Sequence, residues 1–160
     1  TITSFIKMKG KITITNKKAR FEYEILDKYN AGIVLSGTEI KSIRLGKASI
    51  TESFCEFNES IELFVVNMNI ETYTFSANFN HFPKSTRKLL LNKKELQKLN
   101  KSVKNTGLTI IPLKLYTNEK GIAKLEIALA KGKKLYDKRQ TMIDRDNKRN
   151  LDRVKKENKS

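Results

Sequence analysis

Leu108-Thr-Ile-Ile-Pro-Leu-Lys-Leu-Tyr-Thr117, Asn118-Glu-Lys-Gly121 and Ile122-Ala-Lys-Leu-Glu-Ile-Ala-Leu-Ala130 together decide the fold class. Two apolar, β-branched runs flank a short segment carrying Asn and Gly, the pattern of an antiparallel hairpin. In the second arm Ile122, Leu125, Ile127 and Leu129 alternate imperfectly, as a bulge would make them. Working outward, Ile12 and Ile14 alternate with Thr13 and Thr15, and Phe21 to Ile25 alternates again with Glu22 and Glu24 on one face. Ala31 to Leu35 is a short apolar run in which Gly32 permits close backbone approach. Ser53–Phe57 and Ile61–Val66 form a second hairpin around Asn58-Glu59-Ser60. Two helices interrupt the strands. Over Thr38 to Leu45, Ile40 and Ile43 lie three apart and Gly46 supplies a stop. After Asn92, Glu95 stands at capping-box spacing, Leu96, Leu99 and Val103 line one face, and Asn105-Thr106-Gly107 ends the run. Many short antiparallel strands with few, short helices predict a mainly β chain (α+β) with a small OB-like β-barrel over residues 1–130.

At about Lys131 the composition changes. Residues 131–160 hold twelve Lys or Arg against five Asp or Glu and few apolar side chains. Such a tail cannot bury enough apolar surface to offset its chain entropy, so it is expected to be disordered when free. Asp144/Lys148 and Asp152/Lys156 are four apart with the acid first, and Leu151 and Val154 share a face, so a helix can be induced on docking. The tail contributes a surplus of seven positive charges to the net +16, which leaves nine on the body. A body and an arm that are both cationic point to a polyanion, and nucleic acid leads over an anionic membrane.

Enzyme chemistry finds little support. Cys55 is the only cysteine and His81 the only histidine. That rules out a disulfide, a zinc cluster of the common kinds and most triads, and His81 reads as a loop-packing residue. Cys55 reads as a small buried strand residue. No phosphate-binding glycine motif occurs, and the carboxylates are scattered rather than paired as a metal-dependent nuclease needs. A small RNase is therefore the lesser alternative, beside a generic RNA-binding protein, and no cofactor is expected. No apolar stretch approaches the roughly 18 residues of a membrane span, so the expected location is the cytoplasm.

Basic residues gather in four places: Lys17, Lys18 and Arg20 ahead of Tyr23; Lys41, Arg44 and Lys47 along the first helix; Lys84, Arg87 and Lys88; and Lys131-Gly132-Lys133-Lys134. Together they suggest a surface that tracks phosphates. Tyr73, Phe75, Phe79 and Phe82, just before the third cluster, either belong to the core or offer faces for unpaired bases.

Asn16 to Tyr23, Ala31-Gly32, Gly37 to Arg44 with Gly46-Lys47-Ala48, Thr86 to Asn92, and Ala130 to Lys134 with Asp137-Lys138-Arg139 resemble the signatures of the SsrA-binding protein (small protein B) family. The resemblance spans about residues 11–150, in order and at fitting intervals. It implies an OB-like barrel that clasps the tRNA-like domain of transfer-messenger RNA and delivers it to stalled ribosomes in trans-translation. It also implies indirect partnership with elongation factor Tu and alanyl-tRNA synthetase through the shared RNA, and a tail that docks in the decoding region and empty message channel. The RNA-holding set so implied is Lys18, Arg20, Tyr23, Gly32, Glu39, Lys41, Arg44, Lys47, Arg87, Lys88, Leu90, Asn92, Lys131, Gly132, Lys133 and Lys134. The ribosome-facing set is Tyr136, Asp137, Lys138, Arg139, Arg145, Lys148, Arg149 and Arg153. Two departures stand out. Asn30 replaces the family's usual Glu before Ala-Gly, and Tyr136 replaces a frequent His before Asp-Lys-Arg, which removes any histidine switch there.

Overall fold

The computed structural model describes residues 11–76, 79–105, 107–133, 143 and 145–151. In chain order the elements are β1 (Thr13–Thr15), α1 (Ala19–Glu22), β2 (Tyr23–Ile33), α2 (Gly37–Arg44), β3 (Ala48–Ser49), β4 (Phe54–Phe57), β5 (Leu63–Val66), β6 (Asn69–Ile70), β7 (Arg87–Leu90), α3 (Lys93–Val103), β8 (Leu108–Thr117) and β9 (Ala123–Gly132). The long β8–β9 hairpin forms as its sequence predicts. β2 pairs with the other side of β9, and the order β8-β4-β5-β7-β2-β9 returns to β8, a ring of antiparallel strands. β1 lies on β8, and β3 with β6 makes a separate two-stranded ribbon.

Inside the ring, Leu125, Ile127 and Leu129 of β9 meet Ala31, Leu63, Val65, Leu89, Ile110 and Leu115. Full burial of such side chains stabilises by about 1.5–3 kcal/mol each before entropy is charged. Cys55 sits in this core, opposite Val65 and Ile110, and burial pushes its thiol well above the ordinary range. Both long helices begin with a reciprocal capping box, Asn92 with Glu95 as expected and Ser36 with Glu39 in addition. Gly46 takes φ +75°, the left-handed stop that ends α2. Leu99 buries α3 against the core.

Two expectations are corrected. Phe21 and Glu22 lie in the helical turn α1, so Glu22 does not share a strand face with Glu24. Ala19 packs that turn on Ile111, Ala128 and Ala130, and the two small alanines of β9 leave room for it. Second, the irregularity of the hairpin lies in β8 between Pro112 and Lys114, not in its second arm. Asn16 fills the gap, donating from its side chain to Pro112 O (2.9 Å) and from its backbone to Leu113 O (2.8 Å). In the tail, residues 143 and 145–151 are helical, with exposed side chains throughout. β9 also continues two residues past Ala130, so Lys131 and Gly132 are ladder residues.

Candidate nucleic-acid interface

A second bulge builds the candidate site. The β2–β9 register slips by one residue between Ile25 and Asp27, with Leu26 as the extra residue. Tyr29, Ala31 and Ile33 face the core, so Lys28, Asn30 and Gly32 face outward. Without the slip, odd-numbered Tyr23 and Ile25 would point inward; with it they join the outer face, where they pack beside Ala128 and Ala130. Asp27 and Tyr29 anchor the bulge to α3. The Tyr29 hydroxyl donates to Asp27 Oδ2 (2.9 Å), and Lys98 Nζ lies 3.4 Å from the same oxygen. The Tyr29 bond, followed by Lys98, holds the Asp27 carboxyl below the ordinary carboxylate range against a small burial penalty.

One continuous outer strip results. At one end Arg20, Tyr23, Glu24, Ile25, Lys28 and Lys133 line a shallow groove, with Glu24 its one carboxylate. Tyr23 stands opposite Gly132 in the ladder, and Lys133 N donates to Glu22 O (2.9 Å), so the chain leaves the ring beside Tyr23. The first and last basic motifs, more than a hundred residues apart, thus meet at one edge. Lys18 and Arg20 are exposed there, Lys131 is exposed opposite Glu24 in the ladder, and Lys18 keeps a loose pairing with Glu52 (3.7 Å). At the other end Gly32 pairs with Leu90, which is 53% exposed. A Cβ on Gly32 would lie 3.3 Å from Leu90 Cβ, so the glycine lets Leu90 lie across the strand. Asn92 follows at the helix cap, its Oδ1 accepting from Glu95 N (2.9 Å). Nine residues with one bulge separate the ends, roughly 25–30 Å of strand. Asn30 sits between them and accepts from the Tyr116 hydroxyl (3.2 Å).

Other members of the expected set are committed to the fold. Arg87 is 3% exposed: Nε pairs with Glu39, Nη1 donates to Met68 O (2.7 Å), and Nη2 donates to Pro83 O (3.0 Å). Glu39, 7% exposed, also accepts from Ser36 N (2.9 Å). Burial pushes the Glu39 carboxyl up, but Ser36 and the Arg87 guanidinium outweigh it and hold the group below its usual range. Both side chains are engaged inside the fold rather than displayed at the surface, although Arg87 belongs to a basic motif. Arg44 is half-buried and donates to Gly121 O (3.0 Å), tying α2 to the β8–β9 turn. Lys88 pairs with Glu62 at 2.5 Å. Lys41 is exposed on α2 and Lys47 is exposed just after it.

Sequence reasoning overlooked Lys28, Lys114, Tyr116 and Lys124. Lys124 stands opposite Gly32 and Glu126 opposite Asn30, and Lys114, one strand further on, has its Nζ 3.7 Å from Glu126 and 5.4 Å from the Tyr116 ring centre. The adjacent apolar pair Ile25-Leu26 is the signal that marks the change of face. Of the tail set, Arg145, Lys148 and Arg149 are exposed on the helical stretch, whereas Lys134, Tyr136, Asp137, Lys138, Arg139 and Arg153 lie outside the described residues. His81 packs in its loop as read: Nε2 donates to Ile70 O (2.9 Å), which leaves Nδ1 facing the Thr38 hydroxyl (2.9 Å).

The chain is similar to proteins of one family. The family model described as "SmpB protein" matches residues 13–157. The SsrA-binding protein of Flavobacterium psychrophilum is 68% identical over 146 residues, covering 91% of this chain and 97% of the relative. That of Christiangramia forsetii is 64% identical over 152 residues, 95% and 96% of the two chains. A chain from the solved structure "tmRNA-SmpB: a journey to the center of the bacterial ribosome" is 48% identical, has a TM-score of 0.65, and is matched over 77% of this chain and 85% of its own length.

Proposed function

This chain belongs to the SmpB family, and we propose that it binds transfer-messenger RNA and carries it to stalled ribosomes for trans-translation. The observation that carries the reading is the convergence of the Asn16–Tyr23 and Ala130–Lys133 motifs at the edge where the tail departs. A single RNA lying on the strip meets Arg20, Lys18, Lys131 and Lys133 at its phosphates, Tyr23 at a stacking face, and Leu90 with Asn92 at the far end. Arg and Lys position the backbone while the aromatic and apolar groups read shape. From that edge the tail reaches a second polyanion, the small-subunit ribosomal RNA of the decoding region and empty message channel. Arg145, Lys148 and Arg149 on one short helix fit this use, since like charges on a helix are relieved by docking on phosphates.

The chain works as an adaptor and not as a catalyst, in the cytoplasm where its ribosomes are. Elongation factor Tu and alanyl-tRNA synthetase join it only through the shared RNA. The test compares the full chain with one ending at Lys134. A cut at Ala130 would also remove the Glu24–Lys131 and Tyr23–Gly132 ladder pairs and confuse fold with function. The shortened chain should bind transfer-messenger RNA as the full chain does, yet tag no peptide on ribosomes stalled without a stop codon. Tagging that survives the cut rejects the proposal.

A further inference from the structure

Three phenylalanines are held in solvent on one loop: Phe75 is 78% exposed, Phe79 86% and Phe82 83%. Their backbone is pinned. Asn80 bonds both N and O of Tyr73 (3.0 and 2.9 Å), Ser76 Oγ donates to Phe79 O, and Arg87 and Ser85 donate to Phe82 O. His81 fastens the loop to Thr38 and to Ile70 O. Such an exposed apolar patch on a braced loop marks a binding surface. Its surroundings say what covers it. Tyr73 packs edge-on against Phe75 at 5.5 Å, and Lys41 Nζ lies 5.5 Å from the Tyr73 ring centre. Phe79, Phe82, His81 and Lys41 line one shallow hollow, with exposed Lys84 next along the chain. Glu39, the carboxylate in that hollow, is neutralised by Arg87, and exposed Glu71 remains as the nearby acid in the loop.

We infer that this loop is a stacking platform for unpaired RNA bases, separate from the strip that carries Tyr23 and Leu90. Flat apolar faces rimmed by lysine suit bases beside their phosphates, because every base presents a π-face. The inference rests on the RNA-binding reading above and adds a second contact of different chemistry.

The chain has no tryptophan, so Phe79→Trp in the full chain gives a single local reporter. A single-stranded RNA of about ten nucleotides should quench its emission, and a duplex of equal phosphate count should not. Replacing Phe75, Phe79 and Phe82 together by Ala should weaken single-strand binding by about tenfold or more. Duplex affinity and the salt slope should hold, since no charge is lost, and the exposed positions leave the melting temperature unchanged. Binding of both RNAs without quenching, or equal losses for both, overturns the platform and leaves the loop to a protein surface. Failure of the unaltered chain to bind either RNA would instead reject the underlying RNA-binding reading along with it.

Discussion

The ring and the tail are built from the same basic residues, yet they use them in opposite ways. In the ring, Arg87 is enclosed by Glu39 and main-chain carbonyls, Arg44 holds the Gly121 turn, and Lys88 and Lys98 pair with Glu62 and Asp27. In the helical stretch of the tail, Arg145, Lys148 and Arg149 are exposed and have no ion-pair partner among the described residues. Net charge therefore overstates what the body offers to RNA. A buried arginine that satisfies several carbonyls fixes a loop, whereas an exposed one keeps its full Coulomb reach for a polyanion.

The widest contrast should appear when an arginine is removed from each region. Arg87→Ala leaves Glu39 buried without its partner and should cost about 3–5 kcal/mol in denaturant unfolding. Arg145→Ala with Arg149→Ala should leave the unfolding curve where it was and lower tagging instead. A stable Arg87→Ala protein with weakened RNA binding would return Arg87 to the interface.

Next comes Tyr23→Ala, which removes a stacking face from the strip and should cost about 1–3 kcal/mol in transfer-messenger RNA affinity. The melting temperature should change far less than for Arg87→Ala. Unchanged affinity takes Tyr23 out of the site.

A smaller effect separates the regions by pH. Glu39 has its folded pKa held below the unfolded value near 4.5, so its stabilising contribution is complete above that value. It is lost as pH falls through the lower, folded pKa. Unfolding free energy should thus decline in acid, and Glu39→Gln should decline less steeply. Asp27 and Glu62 are also lowered, so part of the acid slope should persist in that variant. Identical slopes would show that the buried pair is not linked to stability. Smallest of all, Lys18→Ala should reduce the salt slope of RNA binding by about one unit at most.

Local chemistry was the part of this molecule legible in its sequence. Asn92 with Glu95, Gly46 after α2, and the Leu108–Ala130 hairpin each depend on neighbours within a few residues. Long-range placement was not legible. Nothing near Arg87 in the chain announces that Glu39, 48 residues earlier, will meet it inside the fold. The bulge at Leu26 was written in the doubled apolar pair Ile25-Leu26, yet its effect on Tyr23 depends on pairing with β9. Arg20, Tyr23, Leu90 and Lys133, scattered through three motifs in the chain, lie along one strip of the candidate site. The neighbouring Lys28, Lys114, Tyr116 and Lys124 became visible only through the ladder. The exposure of Phe79 and Phe82 likewise follows from the brace by Asn80, His81 and Arg87, not from their own apolar character.

The division of labour is tested most directly by the salt dependence of transfer-messenger RNA binding, taken from about 50 to about 200 mM for the full chain and for one ending at Lys134. About five phosphate contacts on the strip predict log–log slopes of roughly −3.5 to −4.5, parallel for the two proteins. A slope shallower by about two units or more after shortening would contradict the account, because the tail would then be doing the gripping.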